Sequence, residues 1–98
     1  MIVRIHEMVG PKGLTRELGE KVKTKIGDDW KRDTVTLDFS GVSVASPSFL
    51  DEAVGHIVQQ ITEGELKSRL VIQNEPEGFE LAWKNMVGAR RARALSGE

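Results

Sequence analysis

The chain contains no cysteine. That excludes disulfide staples, thiol catalysis and cysteine-ligated zinc, and it fits a reducing interior. No apolar run approaches the ~20 residues that a membrane span needs. The opening Met1-Ile2-Val3-Arg4-Ile5-His6 lacks the basic-then-apolar layout of a signal peptide. Both absences lead to the expectation of a soluble, cytoplasmic protein with no membrane partner. Neither sign of charge dominates: the net charge is −1, so no global field recruits nucleic acid or an anionic surface. There is no Gly-x-x-x-x-Gly-Lys-Ser/Thr loop, which excludes a P-loop NTPase. There is also no Gly-x-Ser-x-Gly turn, and no glycine flanks Ser48. A hydrolase built from Ser48, His56 and Asp38 therefore lacks the strained turn its nucleophile needs. Repeats, linkers and low-complexity stretches are missing too. The expectation is a protein that is not an enzyme and carries no cofactor and no metal.

What is present suits one small globular domain over residues 1–98. The chain is 39% hydrophobic and 30% charged, enough for a single modest core. Ile2 to His6 alternates Val3 and Ile5 against Arg4 and His6, the pattern of a half-exposed strand. Gly10-Pro11-Lys12-Gly13 breaks it. Thr15 suits the N-cap of a helix carrying Leu18, Val22 and Ile26, with Glu17 early, Lys23 and Lys25 late, and Gly27 as its end. Thr34 to Phe39 reads as a second strand, with Val35, Leu37 and Phe39 on one face. A broad apolar face follows in Leu50, Ala53, Val54, Ile57, Val58 and Ile61, a helix expected to run to Gly64. Arg69 to Gln73 is a third strand, with the short apolar run of one covered on both faces. Pro76 suits the first turn of a last helix bearing Phe79, Ala82, Trp83, Met86 and Val87. Past Gly88, residues 90–98 either extend that helix or fray into a tail. Strands separated by helices require crossover connections. The expected fold is therefore α/β, β-α-β-α-β-α, with a mostly parallel sheet covered by helices.

The most informative stretch is Leu37 to Glu52: a strand, a short polar loop and a helix entrance bearing two serines. Ligand sites in such sheets lie beyond the carboxyl ends of the strands, where this loop leaves. Unpaired N–H groups at a helix start stabilise an anion. With Ser46 as N-cap, Pro47 falls at the first helical position and Ser48 at the second. Alternatively Ser48 is the cap, with Ser48-Phe49-Leu50-Asp51 resembling a capping box. Phosphate on Ser48 would be favoured by the helix end by about 0.3–1 kcal/mol. Asp51 and Glu52, close by in sequence, would oppose it by a comparable amount. Asp38, opposite the strand's apolar face, reads as a carboxylate holding loop N–H groups. With Ser46 and Ser48 it also makes a candidate site for a nucleotide or small anion.

Leu37-Asp38-Phe39-Ser40-Gly41-Val42 followed by Ser46-Pro47-Ser48-Phe49-Leu50 resembles the signature of STAS domains, found in sulfate transporters and anti-sigma factor antagonists. In the antagonists, Leu-Asp-Leu-Ser-Gly-Val leads to Asp-Ser-Ser-Gly-Leu, whose second serine is phosphorylated by a histidine-kinase-like ATPase. Aligned without a gap, Ser46 stands at that Asp, Pro47 at the first serine, Ser48 at the phosphoacceptor and Phe49 at the Gly. The chain is more similar still to a STAS-like family of unknown function. Members of that family carry a strand ending Leu-Asp-Phe and a Ser-Phe-Leu-Asp-Glu helix start, as Ser48 to Glu52 do. They also carry a Gly-x-x-Arg-Glu element, which Gly13-Leu14-Thr15-Arg16-Glu17 matches. The resemblance implies a cytoplasmic, bacterial-type signalling module that docks a histidine-kinase-like ATPase or anti-sigma-type kinase. Ser46, Ser48, Phe49, Asp51 and Glu52 would form the contact, and Ser48 would be the phosphoacceptor of a phosphoserine switch.

Other constellations are thinner. Glu52 and His56, one helical turn apart, read as a solvated pair ahead of two metal ligands. Arg90, Arg91 and Arg93 suit a solvated helix end ahead of a nucleic-acid contact. Phe49, in a chain only 5% aromatic, is either core or an exposed anchor.

Overall fold

In the computed structural model, residues 1–95 are described. The elements in chain order are β1 (Ile2–Arg4), α1 (Ile5–Val9), β2 (Lys12–Gly13), α2 (Arg16–Ile26) and β3 (Val35–Asp38). They continue as β4 (Val44–Ala45), α3 (Pro47–Gln60), α4 (Glu63–Arg69), β5 (Leu70–Gln73) and α5 (Phe79–Leu95), with a 3-10 turn at Asp29–Lys31 between α2 and β3. The main sheet is parallel throughout, in the order β1-β3-β5. Its register aligns Val3 with Leu37 and Leu37 with Ile72. The expected small α/β domain with a mostly parallel sheet is what forms.

The alternation in β3 does what its period predicts: Val35, Leu37 and Phe39 are buried and Thr36 and Asp38 are not. Above that face α3 lies against both α2 and α5. The Phe39 ring meets Phe79 at 5.1 Å, and Phe79 stacks on Trp83 at 5.6 Å. Thr15 caps α2 by accepting from the Leu18 N–H, and Gly27 ends it with a positive φ of 52°.

Several boundaries differ from expectation. The first strand stops at Arg4, and Ile5 and His6 begin a five-residue helix. Lys12 and Gly13 do not merely turn the chain: they pair in parallel with Val44 and Ala45 as a second, two-stranded sheet. The helix begun at Pro47 ends at Gln60, and Thr62 caps a separate α4 that contains Gly64. The last helix starts at Phe79, its N–H bonded to the Pro76 carbonyl, rather than at Pro76. The third strand is not covered on both faces. Leu70 is buried, but Val71 is 36% exposed, and Ile2, in register on the far side of Thr36, is 61% exposed. The helices cover one face of the sheet only. Helix α5 runs through Leu95, so residues 90–95 extend the helix; residues 96–98 of the expected tail lie outside the described residues. Among the described residues no helix is long and apolar enough to cross a membrane.

Candidate functional site

The entrance to α3 is built by the small second sheet. The Ser43 N–H bonds the Pro11 carbonyl at 2.7 Å, and the Ser46 N–H bonds the Gly13 carbonyl at 2.8 Å. These bonds extend the β2–β4 ladder up to the first turn of α3. Ser46 is the N-cap: its Oγ accepts from the Phe49 N–H at 3.1 Å and donates to the Leu14 carbonyl at 3.0 Å. Pro47 occupies the first helical position, where its missing N–H costs nothing. Both hydrogen-bonding capacities of the Ser46 hydroxyl are therefore in structural use. Phe49, one turn in, is fully buried, and a Cβ on Gly13 would lie 3.1 Å from its ring. Ser48 points the other way. It is exposed, and its hydroxyl bonds no described residue.

Asp51 follows one turn after Ser48 and is the one buried charged residue among those described, 5% exposed. Arg16, leading α2, reaches its Oδ2 at 2.6 Å. Arg90, from α5, donates Nε to Oδ1 at 2.7 Å and also binds the Asp51 backbone carbonyl and Gln59 Oε1. Arg93 lies at 3.7 Å. Burial pushes the Asp51 carboxyl up, but the hydrogen bonds from Arg90 and Arg16 outweigh it and hold it below the usual carboxylate range. A buried carboxylate is tolerated only when paired and hydrogen-bonded, and here two elements, α2 and α5, supply the pairing. Gly55 makes room for it: a Cβ there would lie 2.5 Å from Arg90 Nε. Gly19 does the same between α2 and α3, where a Cβ would lie 2.5 Å from the Phe49 carbonyl oxygen.

The contact set expected at this entrance therefore divides. Ser48 and the partly exposed Glu52 lie on the surface. Phe49 and Asp51 do not, and their expected place in a docking contact is corrected: the first fills the core and the second ties α2 and α5 to α3. Ser46 is half-buried and engaged as the cap. The electrostatics change as well. Glu52 lies 3.7 Å from Lys23, so both carboxylates that would repel a phosphate on Ser48 are matched by cations.

Asp38 holds the far side of the same loop. Its Oδ1 accepts from the Ser40 N–H and from Asn74 Nδ2, both at 2.9 Å. The Asn74 bond first, then the Ser40 bond, lower its pKa. Asn74 itself has a positive φ of 55° in the turn after β5. Asp38 thus holds loop groups, as its position suggests, and it and Ser46 are each hydrogen-bonded to partners of their own.

The arginines give the clearest correction. Arg90 is not at a solvated helix end but folded onto Asp51, and Arg91 donates Nη1 to the Ile61 carbonyl at 2.7 Å, closing the end of α3. Glu52 pairs with Lys23 rather than with His56, and among the described residues no group of three or more acidic or imidazole ligands is assembled for a metal. The His56 Nδ1 is buried without a partner, and burial, then Lys23 and Arg90, lower its pKa.

A parallel sheet layered with helices, and a capped helix entrance presenting one free serine beyond the strand ends, define a STAS-like α/β module. The chain belongs to the family described as a STAS-like domain of unknown function (DUF4325), whose sequence model matches residues 18–77. No curated protein and no solved structure matches the chain. In this fold the two motifs of the resemblance meet: Gly13 underlies Phe49, Leu14 bonds Ser46 and Arg16 pairs with Asp51.

Proposed function

We propose that the chain is a non-enzymatic regulatory module that docks a protein partner through the α3 entrance, with Ser48 at the centre of the contact. Phosphorylation of Ser48 releases the partner. The observation that carries this reading is the contrast between the two serines: Ser46 is consumed by capping, whereas Ser48 is exposed with an unbonded hydroxyl. Pro47 and Glu52 flank it on the surface, while Phe49 and Asp51 hold the shape from beneath. A phosphate adds about −1.5 to −2 charges, enough to expel a partner fitted to the neutral hydroxyl. It would stand at a positive helix end whose nearby carboxylates are already paired. The resemblance to anti-sigma factor antagonists supports a histidine-kinase-like ATPase as the partner.

The test is capture from an extract of the native cells with ATP present, using wild type, Ser48→Ala and Ser48→Glu as baits. An ATPase-fold protein retained by the first two and absent from the third is expected. A partner held equally by all three baits removes the switch, and no specific partner at all removes the docking function.

A further inference from the structure

We infer that Arg16 is the receptor for a phosphate on Ser48: with Nη1 held on Asp51, its remaining donors close on the phosphate and fasten the modified α3 entrance to α2. The inference rests on Ser48 being the phosphoacceptor, as proposed above, and it adds which residue of this chain reads the modification. Phosphorylation moves the γ-phosphoryl group of ATP onto the Ser48 Oγ, with ADP and the hydroxyl proton leaving. What Arg16 then meets is a phosphate monoester of about −1.5 to −2 charges.

Position carries the argument. Ser48, Asp51, Glu52 and Gly55 are spaced on α3 so that they share one stripe of the helix. Helix α2 lies along one flank of that stripe, where a Cβ on Gly19 would meet the Phe49 carbonyl, Glu52 and Ala53. Arg90 comes from α5 on the other flank, onto Asp51 and against Gly55. Arg16 belongs to α2, yet it bonds Asp51 at 2.6 Å. Its side chain therefore crosses the stripe that carries Ser48. The chain leading into Arg16 also starts beside this turn, because the Gly13 and Leu14 carbonyls accept from the N–H and Oγ of Ser46. Arg16 thus reaches from the N-cap to Asp51, and Ser48 stands between the two. The Asp51 hydrogen bond first, and Glu52 at longer range, raise the Arg16 pKa, as fits a guanidinium facing both residues one turn beyond Ser48.

Arg16 also has donors to give. Only its Nη1 is engaged; Nε and Nη2 bond no described residue, and the side chain is 54% exposed. Its planar fork of N–H groups matches phosphate oxygens. Asp51 does not depend on Arg16 alone, since Arg90 holds its Oδ1 at 2.7 Å from a more buried position. Arg16 can therefore lean toward a phosphate without stranding the buried carboxylate. The other cations nearby are placed less well: Lys23 is matched to Glu52, and Arg93 reaches Asp51 only at 3.7 Å, from the α5 flank.

A phosphorus NMR titration of the chain carrying phosphoserine at position 48, introduced during translation, tests this, with circular dichroism as the check on folding. An unperturbed phosphoserine has a second pKa of about 6. The wild-type background is expected to titrate about one unit lower, and Arg16→Gln to return the value to about 6. Arg16→Lys keeps the charge but loses the fork, so it is expected to fall between them, and it decides the matter should Arg16→Gln not fold. Lys23→Gln and Arg93→Gln are the controls for positive charge in general and are expected to move the value less than Arg16→Gln does. The same pKa with and without Arg16, or an equal rise in either control, would overturn the proposal. No partner enters this titration, so a failed dock leaves its result unchanged, and a failed clamp leaves the Ser48→Glu docking test standing.

Discussion

At the scale of residues, stability concentrates on Asp51. Its carboxylate is bound from α2 and from α5, so removing it leaves guanidinium groups packed without a counter-charge. Asp51→Ala is expected to cost about 3 kcal/mol in urea unfolding, near the low end for a broken buried pair because the arginines reach solvent. Arg16, with its side chain 54% exposed, is expected to cost no more than about 1 kcal/mol on truncation, whereas Arg90, at 18%, costs more. Ser46→Ala should cost about 1 kcal/mol through loss of the cap, and it also strands the Leu14 carbonyl. His56 sets the acid limb. Lys23, Arg90, Glu52 and Asp28 face it, and burial together with the two cations lowers its pKa. The unfolded chain then binds the proton first, so stability falls as pH drops below about 6.5. His56→Gln should flatten the fall of the melting temperature below about pH 6.5. The Asp51 contribution, from a lowered carboxylate pKa, is complete above about pH 3.9 and is lost only below it. Ser46 as cap and Asp38 as holder of loop N–H groups were legible in the sequence because both bonds are local. Asp51 left a trace as well: it falls on the apolar face of its helix, three residues before Val54. Its arginine partners left none, since sequence does not encode which distant charge meets it.

Among the elements, α3 is the keystone, and two glycines set its distances. Gly19→Ala would drive a Cβ into the Phe49 carbonyl, which is backbone and cannot yield, and about 3 kcal/mol of destabilisation is expected. Gly55→Ala meets the movable Arg90 side chain, so about 1–2 kcal/mol is expected, with the loss tracking displacement of Arg90 from Asp51. Thermal unfolding of the two variants ranks them. Element existence was legible wherever periodicity ran long, as in α2, β3 and α3. It failed where elements are short: α1 has five residues, and β2 and β4 have two each. The α3–α4 break was hidden by Ile61, which continues the apolar spacing. Yet Thr62 caps α4, its Oγ1 accepting from the Glu65 N–H at 3.2 Å and donating to Glu65 Oε1 at 3.1 Å, and the Thr-x-x-Glu spacing was a signal present in the sequence.

For the molecule as a whole, alternation of strands and helices was enough to give the parallel α/β layer. What alternation does not encode is how separate segments meet. The Gly13–Glu17 and Ser48–Glu52 motifs form one unit only because β2 pairs with β4 and sets Gly13 under Phe49. That unit leaves Ser48 as the exposed hydroxyl of the α3 entrance, and the functional claim stands on it. The most direct measurement is a calorimetric titration of the captured partner into wild-type protein and into the Ser48→Glu variant, both verified as folded. Saturable binding to wild type that is abolished, or weakened at least tenfold, by Ser48→Glu is the expected result. Equal affinity for the two proteins would contradict a dock centred on Ser48.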